Sequence, residues 1–184
     1  MYEIRWHGRA GQGIITVSRL LAYGGLLEKK HVQAFPEFGP ERIGAPMTGF
    51  TRISDTPIET HSRIYTPNVV VVLDSTLLAI VKVADGLRKD GTLLINSSKP
   101  SKDIEQELGL SGVHCYSVDA TKISLEAFGS GKAFNTAMLG AFVKTVPAVS
   151  TESLTKAMKE RFSAELIEKN LKVLERGMAE VKGN

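Results

Sequence analysis

The chain has 184 residues, of which 42% are hydrophobic and 23% are charged, and its net charge is +3. These values are typical of a globular protein of one domain. Basic residues are spread along the chain rather than clustered, which argues against nucleic-acid binding. The single cysteine, Cys115, excludes an internal disulfide and a four-cysteine iron–sulfur or zinc site.

Continuous apolar runs such as residues 69–73 are far shorter than the roughly 20 residues of a membrane span. The sequence opens on a strand pattern rather than on a signal peptide. We therefore expect a cytoplasmic protein that binds neither membranes nor nucleic acid.

The first element is a strand in which Tyr2, Ile4 and Trp6 alternate with polar residues. Residues 8–13, Gly-Arg-Ala-Gly-Gln-Gly, follow it and precede an apolar helix that begins near residue 14. Their G-x-x-G-x-G spacing matches neither the dinucleotide fingerprint nor a P-loop. A helix N-terminus at such a turn favours an anion or a carbonyl of a neighbouring chain. The alternative is that the glycines only allow a sharp turn and close packing.

Residues 31–46 hold three prolines and two glycines, and residues 36–46 are therefore expected to form no regular element. The segment also carries Phe35, Phe38 and Ile43. We interpret it as an ordered recognition loop, with Phe35 and Phe38 either as interface anchors or as local core.

Residues 47–53 alternate as a strand, and residues 58–64 are its predicted hairpin partner. Residues 69–73 are a branched apolar run, which is typical of a central parallel strand. Asp74 follows at the edge where open α/β sheets bind ligands, although a capping or turn carboxylate is the favoured interpretation. Ser75 is the predicted cap of a helix over residues 76–83.

The rest of the chain alternates strands and helices: strands at 92–96 and 113–118, helical turns at 104–108 and 119–124, and helices at 135–146, after Ser150 and after Ser163. Cys115 is expected to be a small buried residue of its strand. The last helix carries an apolar stripe of Ile167, Leu171, Leu174, Met178 and Val181. This order predicts an α/β fold: a single-domain, three-layer α/β/α sandwich with a mixed, mostly parallel sheet.

Four blocks of sequence are distinctive when taken together: IRWHGRAGQG at 4–13, QAFPEFGPERIGAP at 33–46, PNVVVVLD at 67–74 and NTAMLGA at 135–141. In this order they closely resemble the gamma subunits of pyruvate:ferredoxin oxidoreductases, within the larger family of 2-oxoacid:acceptor oxidoreductase gamma domains. Ala10 departs from the glycine common in relatives, which argues against a left-handed conformation there. The resemblance implies one gamma-type catalytic domain of the pyruvate/ketoisovalerate oxidoreductase kind over residues 1–184.

The resemblance also implies a function. The complex oxidises pyruvate with coenzyme A to acetyl-CoA and CO₂, and passes electrons to ferredoxin. Alpha, beta and delta subunits would be the partners of this chain and would carry thiamine diphosphate, magnesium and the iron–sulfur clusters. This chain would bind no such cofactor alone, would contribute no catalytic residue and would be inactive by itself. Related gamma chains serve 2-oxoglutarate, branched 2-oxoacid and indolepyruvate enzymes, so the substrate stays open.

The candidate site residues are Gly11, Gln12, Gly13 and Arg42. The three turn residues would present backbone donors to a coenzyme A phosphate or to a partner's carboxylate. Arg42 would bind a phosphate or a carboxylate with two hydrogen bonds, the alternative being a salt bridge with Glu37 or Glu41. Two other readings remain: a free-standing nucleotide-binding module, and a purely structural interaction domain.

Overall fold

The computed structural model describes residues 1–37 and 44–183, which form one α/β unit. Its strands are β1 Tyr2–Arg9, β2 His31–Glu37, β3 Pro46–Ser54, β4 Val69–Val72, β5 Thr92–Asn96, β6 His114–Val118 and β7 Lys182–Gly183. Its helices are α1 Ile14–Leu27, α2 Ser101–Glu107, α3 Ala120–Phe128, α4 Phe134–Thr145, α5 Thr151–Arg161 and α6 Ala164–Glu180. Short 3₁₀ segments lie at Ser75–Ala79 and Gly131–Ala133.

All strands belong to a single sheet in the order β2-β3-β1-β4-β5-β6-β7. Strands β1, β4, β5 and β6 pair in parallel, whereas β3 is antiparallel to both of its neighbours and β7 is antiparallel to β6. Because β2 therefore runs in the same direction as β1, only β3 and β7 oppose the rest. The predicted mixed, mostly parallel sheet is confirmed.

The two faces of the sheet are covered unequally. The larger core contains Ile4 and Trp6 of β1 and apolar side chains of α1, α3, α4, α5 and α6. The Trp6 and Phe142 rings stack with centroids 5.8 Å apart. The smaller core lies under the segment after β4 and under α2, with Val70, Leu93 and Cys115 at its centre. The three layers are thus one thick helical layer, the sheet and one thin layer.

The prediction that residues 58–64 form the hairpin partner of the strand at residues 47–53 is wrong. β3 pairs with β2, with Phe35 opposite Phe50, and residues 58–64 form no strand. The prediction of a loop over residues 31–46 is wrong for His31–Glu37, which is a regular strand that includes Pro36, and for Pro46, which is the first residue of β3. β2 is the edge of the sheet, where a proline without an N–H is tolerated because that side of the strand needs no ladder bond. Phe38 and residues 39–43 lie outside the described residues.

A buried arginine attaches the irregular segment after β3 to the sheet. The Arg52 side chain is 1% exposed, and its Nε donates to Glu3 Oε1 at 3.0 Å. Its Nη2 donates to the Ser62 carbonyl at 2.8 Å, and its Nη1 to the Thr60 carbonyl at 3.3 Å. Residues 60–63 are therefore held in place by the Arg52 guanidinium rather than by strand pairing.

The helical predictions differ from the structure mainly in length. The helix expected over 76–83 is a 3₁₀ segment that ends at Ala79, and the local helix expected at 119–124 extends to Phe128. Ser150 is confirmed as an N-cap, because its hydroxyl accepts a hydrogen bond from Ser153 N–H at 3.1 Å. Leu174 is buried and most of the predicted α6 stripe packs against the larger core. Cys115 is buried, as predicted, and burial raises the pKa of its thiol to about 11.

Candidate functional site

The glycine turn, residues 10–13, joins β1 directly to α1. Gly11 has φ 94° and Gly13 has φ 80°, both in the left-handed region that glycine adopts without strain. Ala10 has no positive φ, and its N–H donates to the Ala45 carbonyl at 3.0 Å. The left-handed positions of the turn are therefore two glycines, and Ala10 lies between the end of β1 and the first of them.

The side-chain amide of Gln12 holds the turn against the sheet through hydrogen bonds of both its oxygen and its nitrogen. Its Oε1 accepts a hydrogen bond from Arg9 N–H at 2.7 Å, and its Nε2 donates to Asp74 Oδ2 at 2.8 Å. The backbone N–H of Gln12 donates to the Arg9 carbonyl at 3.0 Å. Gln12 therefore holds the turn in place, and its own donors are engaged within the chain.

Asp74, two residues after the end of β4, accepts hydrogen bonds from three neighbouring residues. Arg9 Nε lies 3.1 Å from Asp74 Oδ2, which also takes the Gln12 bond, and Oδ1 accepts from Thr76 N–H at 3.0 Å. Burial favours the neutral carboxyl, but hydrogen bonds from Thr76 and Gln12 and the charge of Arg9 outweigh it and lower the pKa of Asp74. Asp74 is thus an anion at neutral pH that fixes the turn.

The Thr76 bond also makes Asp74 the N-cap of the 3₁₀ segment Ser75–Ala79. The favoured sequence interpretation of Asp74 as a capping carboxylate is confirmed, whereas the prediction of Ser75 as the cap is wrong by one residue. An aspartate accepts from the N–H two residues ahead as readily as a serine does, so the local sequence does not separate the two.

Helix α1 begins beyond the turn with open backbone donors. It has no side-chain cap, and Val17 N–H is the first of its amides to bond backwards, to the Gly13 carbonyl at 3.0 Å. Within residues 1–37 and 44–183, the N–H groups of Ile14, Ile15 and Thr16 have no hydrogen-bond partner. These donors and the helix dipole make the turn a suitable contact point for a negative group.

A polar cavity of about 390 Å³ lies beside the turn at the carboxyl ends of the parallel strands. Gln12, Asp74, Asn96 and Thr121 are among its lining residues. Asn96 Nδ2 donates to the Leu73 carbonyl and to Thr121 Oγ1, both at 3.0 Å. In the sheet, β2 lies on one side of β1 and β4 lies on the other, so the order of the strands reverses at β1. Open α/β sheets bind ligands in the crevice at the carboxyl ends of the strands where this reversal occurs.

Behind the turn, β1 carries a buried histidine that is neutral at physiological pH. Arg5 Nε donates to His7 Nε2 at 3.1 Å. Burial, with a smaller contribution from the Arg5 charge, lowers the pKa of His7 to about 4. His7 therefore acts as a hydrogen-bond acceptor that orients Arg5, whose Nη2 donates to the Val83 carbonyl at 3.0 Å.

The structure places three of the predicted site residues, Gly11, Gln12 and Gly13, at one point beside the cavity. Arg42 lies outside the described residues. Of its two proposed local partners, Glu37 already pairs with Arg63, whose Nη2 lies 2.7 Å from Glu37 Oε1. Sequence reasoning did not assign Arg9 a role, because its partner Asp74 is 65 residues away and no local pattern signals the pairing.

In the part of the chain that the structure describes, no three His, Cys, Asp or Glu side chains come together as a potential metal site. Nor does any helix there combine the length and the apolar character needed to cross a bilayer.

These features define an open α/β domain with a glycine turn at the crevice between β1 and β4. The sequence matches the pyruvate ferredoxin/flavodoxin oxidoreductase family over residues 3–180. The chain belongs to this oxidoreductase family, and the resemblance noted from its sequence blocks is confirmed.

Individual relatives match over nearly the whole chain. The pyruvate/ketoisovalerate oxidoreductases common subunit gamma of Pyrococcus abyssi is 48% identical over 172 residues, covering 94% of this chain and 92% of that one. The pyruvate synthase subunit PorC of Thermotoga maritima is 44% identical over 185 residues, covering 98% and 95%. A crystal structure of pyruvate oxidoreductase subunit PORC from Thermotoga maritima superimposes with a TM-score of 0.89 at 41% identity, covering 100% of this chain and 98% of that one.

Proposed function

We propose that this chain is the gamma subunit of a pyruvate:ferredoxin oxidoreductase of the pyruvate synthase type. The complex would convert pyruvate, coenzyme A and oxidised ferredoxin into acetyl-CoA, CO₂ and reduced ferredoxin. The observation that carries the proposal is the identity of 44% to a pyruvate synthase subunit over 98% of the chain. The whole chain, residues 1–184, would then act as one gamma-type domain.

The proposed role of the chain is assembly with alpha, beta and delta subunits. Those subunits would hold thiamine diphosphate, magnesium and the iron–sulfur clusters and would pass electrons to ferredoxin. The single cysteine of the sequence supports this division, because a four-cysteine cluster cannot be built from Cys115 alone. The gamma chain would contribute its shape and its turn, and it would be inactive by itself.

Reconstitution tests the proposal. The chain is mixed with purified alpha, beta and delta subunits, and reduction of a dye is assayed with pyruvate and coenzyme A, with and without the gamma chain. We expect activity only in the complete mixture and co-elution of all four subunits. Full activity without this chain, together with no co-elution, would refute the proposal.

A second function is favoured by the Pyrococcus abyssi relative, whose name describes a subunit common to pyruvate and ketoisovalerate oxidoreductases. The same chain would then serve two complexes, with substrate choice made on the other subunits. The test is to combine the chain with either set of catalytic subunits and assay both 2-oxoacids. Support for both activities by one gamma preparation is the expected result for a shared subunit.

We also propose that the glycine turn contacts a coenzyme A phosphate or a partner's carboxylate through the open donors at the α1 N-terminus. Gly11 offers a matched pair of variants, because a Cβ built on it meets no atom within 4 Å among the described residues beyond its chain neighbours. Gly11→Asn and Gly11→Asp impose the same left-handed strain, but only the aspartate adds negative charge.

If the turn meets an anion, Gly11→Asp should raise the KM for coenzyme A or weaken assembly relative to Gly11→Asn. Equal behaviour of the two variants would exclude an anion at the turn. Gln12→Ala is a further test of the turn, although its effect would come through loss of the bond to Asp74 at 2.8 Å.

The prediction for Arg42 is tested separately. Arg42→Ala should weaken assembly or raise the KM for coenzyme A, and Arg42→Lys should restore only part of the loss because lysine cannot form a bidentate contact. Unchanged assembly and KM in Arg42→Ala would show that this guanidinium contacts neither coenzyme A nor another subunit.

A further inference from the structure

Helix α1 presents an outward stripe that is largely apolar. Arg19 is the single charged residue of this helix. Ile15, Arg19, Tyr23 and Leu26 follow one another at helical spacing and so lie on one face. Tyr23 is 37% exposed and Leu26 is 53% exposed. A helix so poor in charge is typical of one buried on several sides, yet this face meets solvent in the isolated chain.

A groove of about 430 Å³ lies between this stripe and α5. Its residues, here called the α1/α5 groove, are Ile15, Thr16, Arg19, Leu20, Tyr23, Ala157, Glu160 and Arg161. Beyond Tyr23 the two helices pack closely, since a Cβ on Gly24 would lie 3.5 Å from the Leu154 backbone. The groove is therefore supported by rigid helices on both sides.

The charged side chains of the groove differ in whether they have a partner within the chain. The carboxylate of Glu160 accepts a hydrogen bond from the Tyr23 hydroxyl. Among the described residues, Arg19 and Arg161 form neither an ion pair nor a hydrogen bond. Arg161 also lies in the last turn of α5, where a cation suits the helix dipole, so Arg19 is the more informative of the two. The groove thus combines an apolar floor with two available guanidinium groups.

The length of the surface indicates the kind of occupant. From Ile15 to Tyr23 the α1 side of the groove extends about 12 Å along the helix axis, which exceeds the size of a single phosphate or carboxylate group. Apolar contacts along this length suit a polypeptide segment, and the guanidinium groups suit carboxylates beside it.

We propose that the α1/α5 groove is the docking site for a segment of another subunit that presents apolar side chains flanked by carboxylates. This inference rests on the proposed function, because the partner is a subunit of the same complex. It adds a specific surface and the chemistry of the segment that covers it.

The test measures the affinity of the full chain for the remaining purified subunits by biolayer interferometry. Arg19→Glu should weaken binding at least about tenfold, because it opposes a partner carboxylate, and Arg19→Lys should stay within about threefold. Arg161→Glu should act in the same direction. Lys102→Glu, on α2, changes the net charge equally and should bind like the wild type. Thermal unfolding of each variant confirms that it is folded.

A second measurement identifies the occupant. A photo-crosslinking phenylalanine derivative in place of Tyr23, which lines the groove, should attach, in the assembled complex, to an acidic segment of another subunit. A crosslink to a second copy of this chain would overturn the inference, as would wild-type affinity in Arg19→Glu. In both cases assembly of the wild type would leave the proposed function intact. Failure of the wild type to bind any subunit would overturn both.

Discussion

Gln12 and Asp74 lie 62 residues apart in the chain and are joined by a hydrogen bond of 2.8 Å from Nε2 to Oδ2. The bond connects the turn after β1 to the end of β4, so the two parallel strands are tied together where the sheet opens. Arg9 adds an ion pair to the same oxygen at 3.1 Å. The position of the turn is thus set by one carboxylate rather than by its glycines alone.

Asp74→Asn should destabilise the chain by about 2 kcal/mol, because Arg9 and Gln12 lose a charged acceptor in a partly buried position. Urea unfolding at neutral pH measures the change. Ser75→Ala is the neighbouring control and should stay within about 0.5 kcal/mol. Equal stabilities of the two variants would show that the network contributes little.

The free energy of unfolding should fall as the pH is lowered from about 6.5 to about 4 because of His7. In this window the unfolded chain binds a proton at His7 that the folded chain does not, so acid favours unfolding. The full effect is on the order of 3 kcal/mol. His7→Gln retains an acceptor for Arg5 without titrating, and its stability should depend less steeply on pH. Identical slopes in urea unfolding of the two proteins would contradict the prediction.

Gly140 and Gly177 lie where α4 and α6 cross in contact, each against the backbone of the other helix, at Leu174 and Ala137 respectively. Gly140→Ala and Gly177→Ala should each destabilise the chain by about 2–3 kcal/mol, because a methyl group has to push the helices apart. Gly131→Ala is the control, since in the described part of the chain its added Cβ has no atom within 4 Å apart from its sequence neighbours. Thermal unfolding compares the three, and a neutral result for both helical variants would refute the close approach.

Arg52→Met should destabilise the chain by about 3 kcal/mol and expose residues 60–63 to proteolysis, because their carbonyls lose their donor. Arg52→Lys should recover only part, since one ammonium cannot replace the several bonds of the guanidinium. Arg63→Met is the matched control: its side chain is 57% exposed, and its ion pair should contribute at most about 1 kcal/mol. Equal protease sensitivity of the Met variants would contradict this role for Arg52.

Elements defined by a local pattern were predictable from the sequence. The alternation before Gly8, the start of α1 at Ile14 and the branched run of β4 all require only neighbouring residues. The pairing of β3 was not predictable, because residues 31–37 and 58–64 both lie close enough in the chain to pair with it. Pro36 argued against a strand, and only the edge position of β2 removes that objection.

The site shows the same division between local and distant information. The glycines predicted the turn, and the carboxyl end of a buried strand drew attention to Asp74. What the sequence could not give is that Arg9 and Gln12 converge on that carboxylate, since a contact across 65 residues leaves no periodic signal. Nor could the glycine spacing alone predict that the N–H groups of Gln12 donate to Asp74 and to the Arg9 carbonyl.

The fastened turn also bears on the kinetics of complex formation. A loop that has to order itself on contact slows productive encounters, whereas a surface already in its bound shape can dock as a rigid body. With Asp74 holding it from behind, the turn would lose little conformational entropy when another subunit arrives. Differences in affinity between variants of this surface should therefore be found mainly in how long the subunits stay together rather than in how quickly they meet.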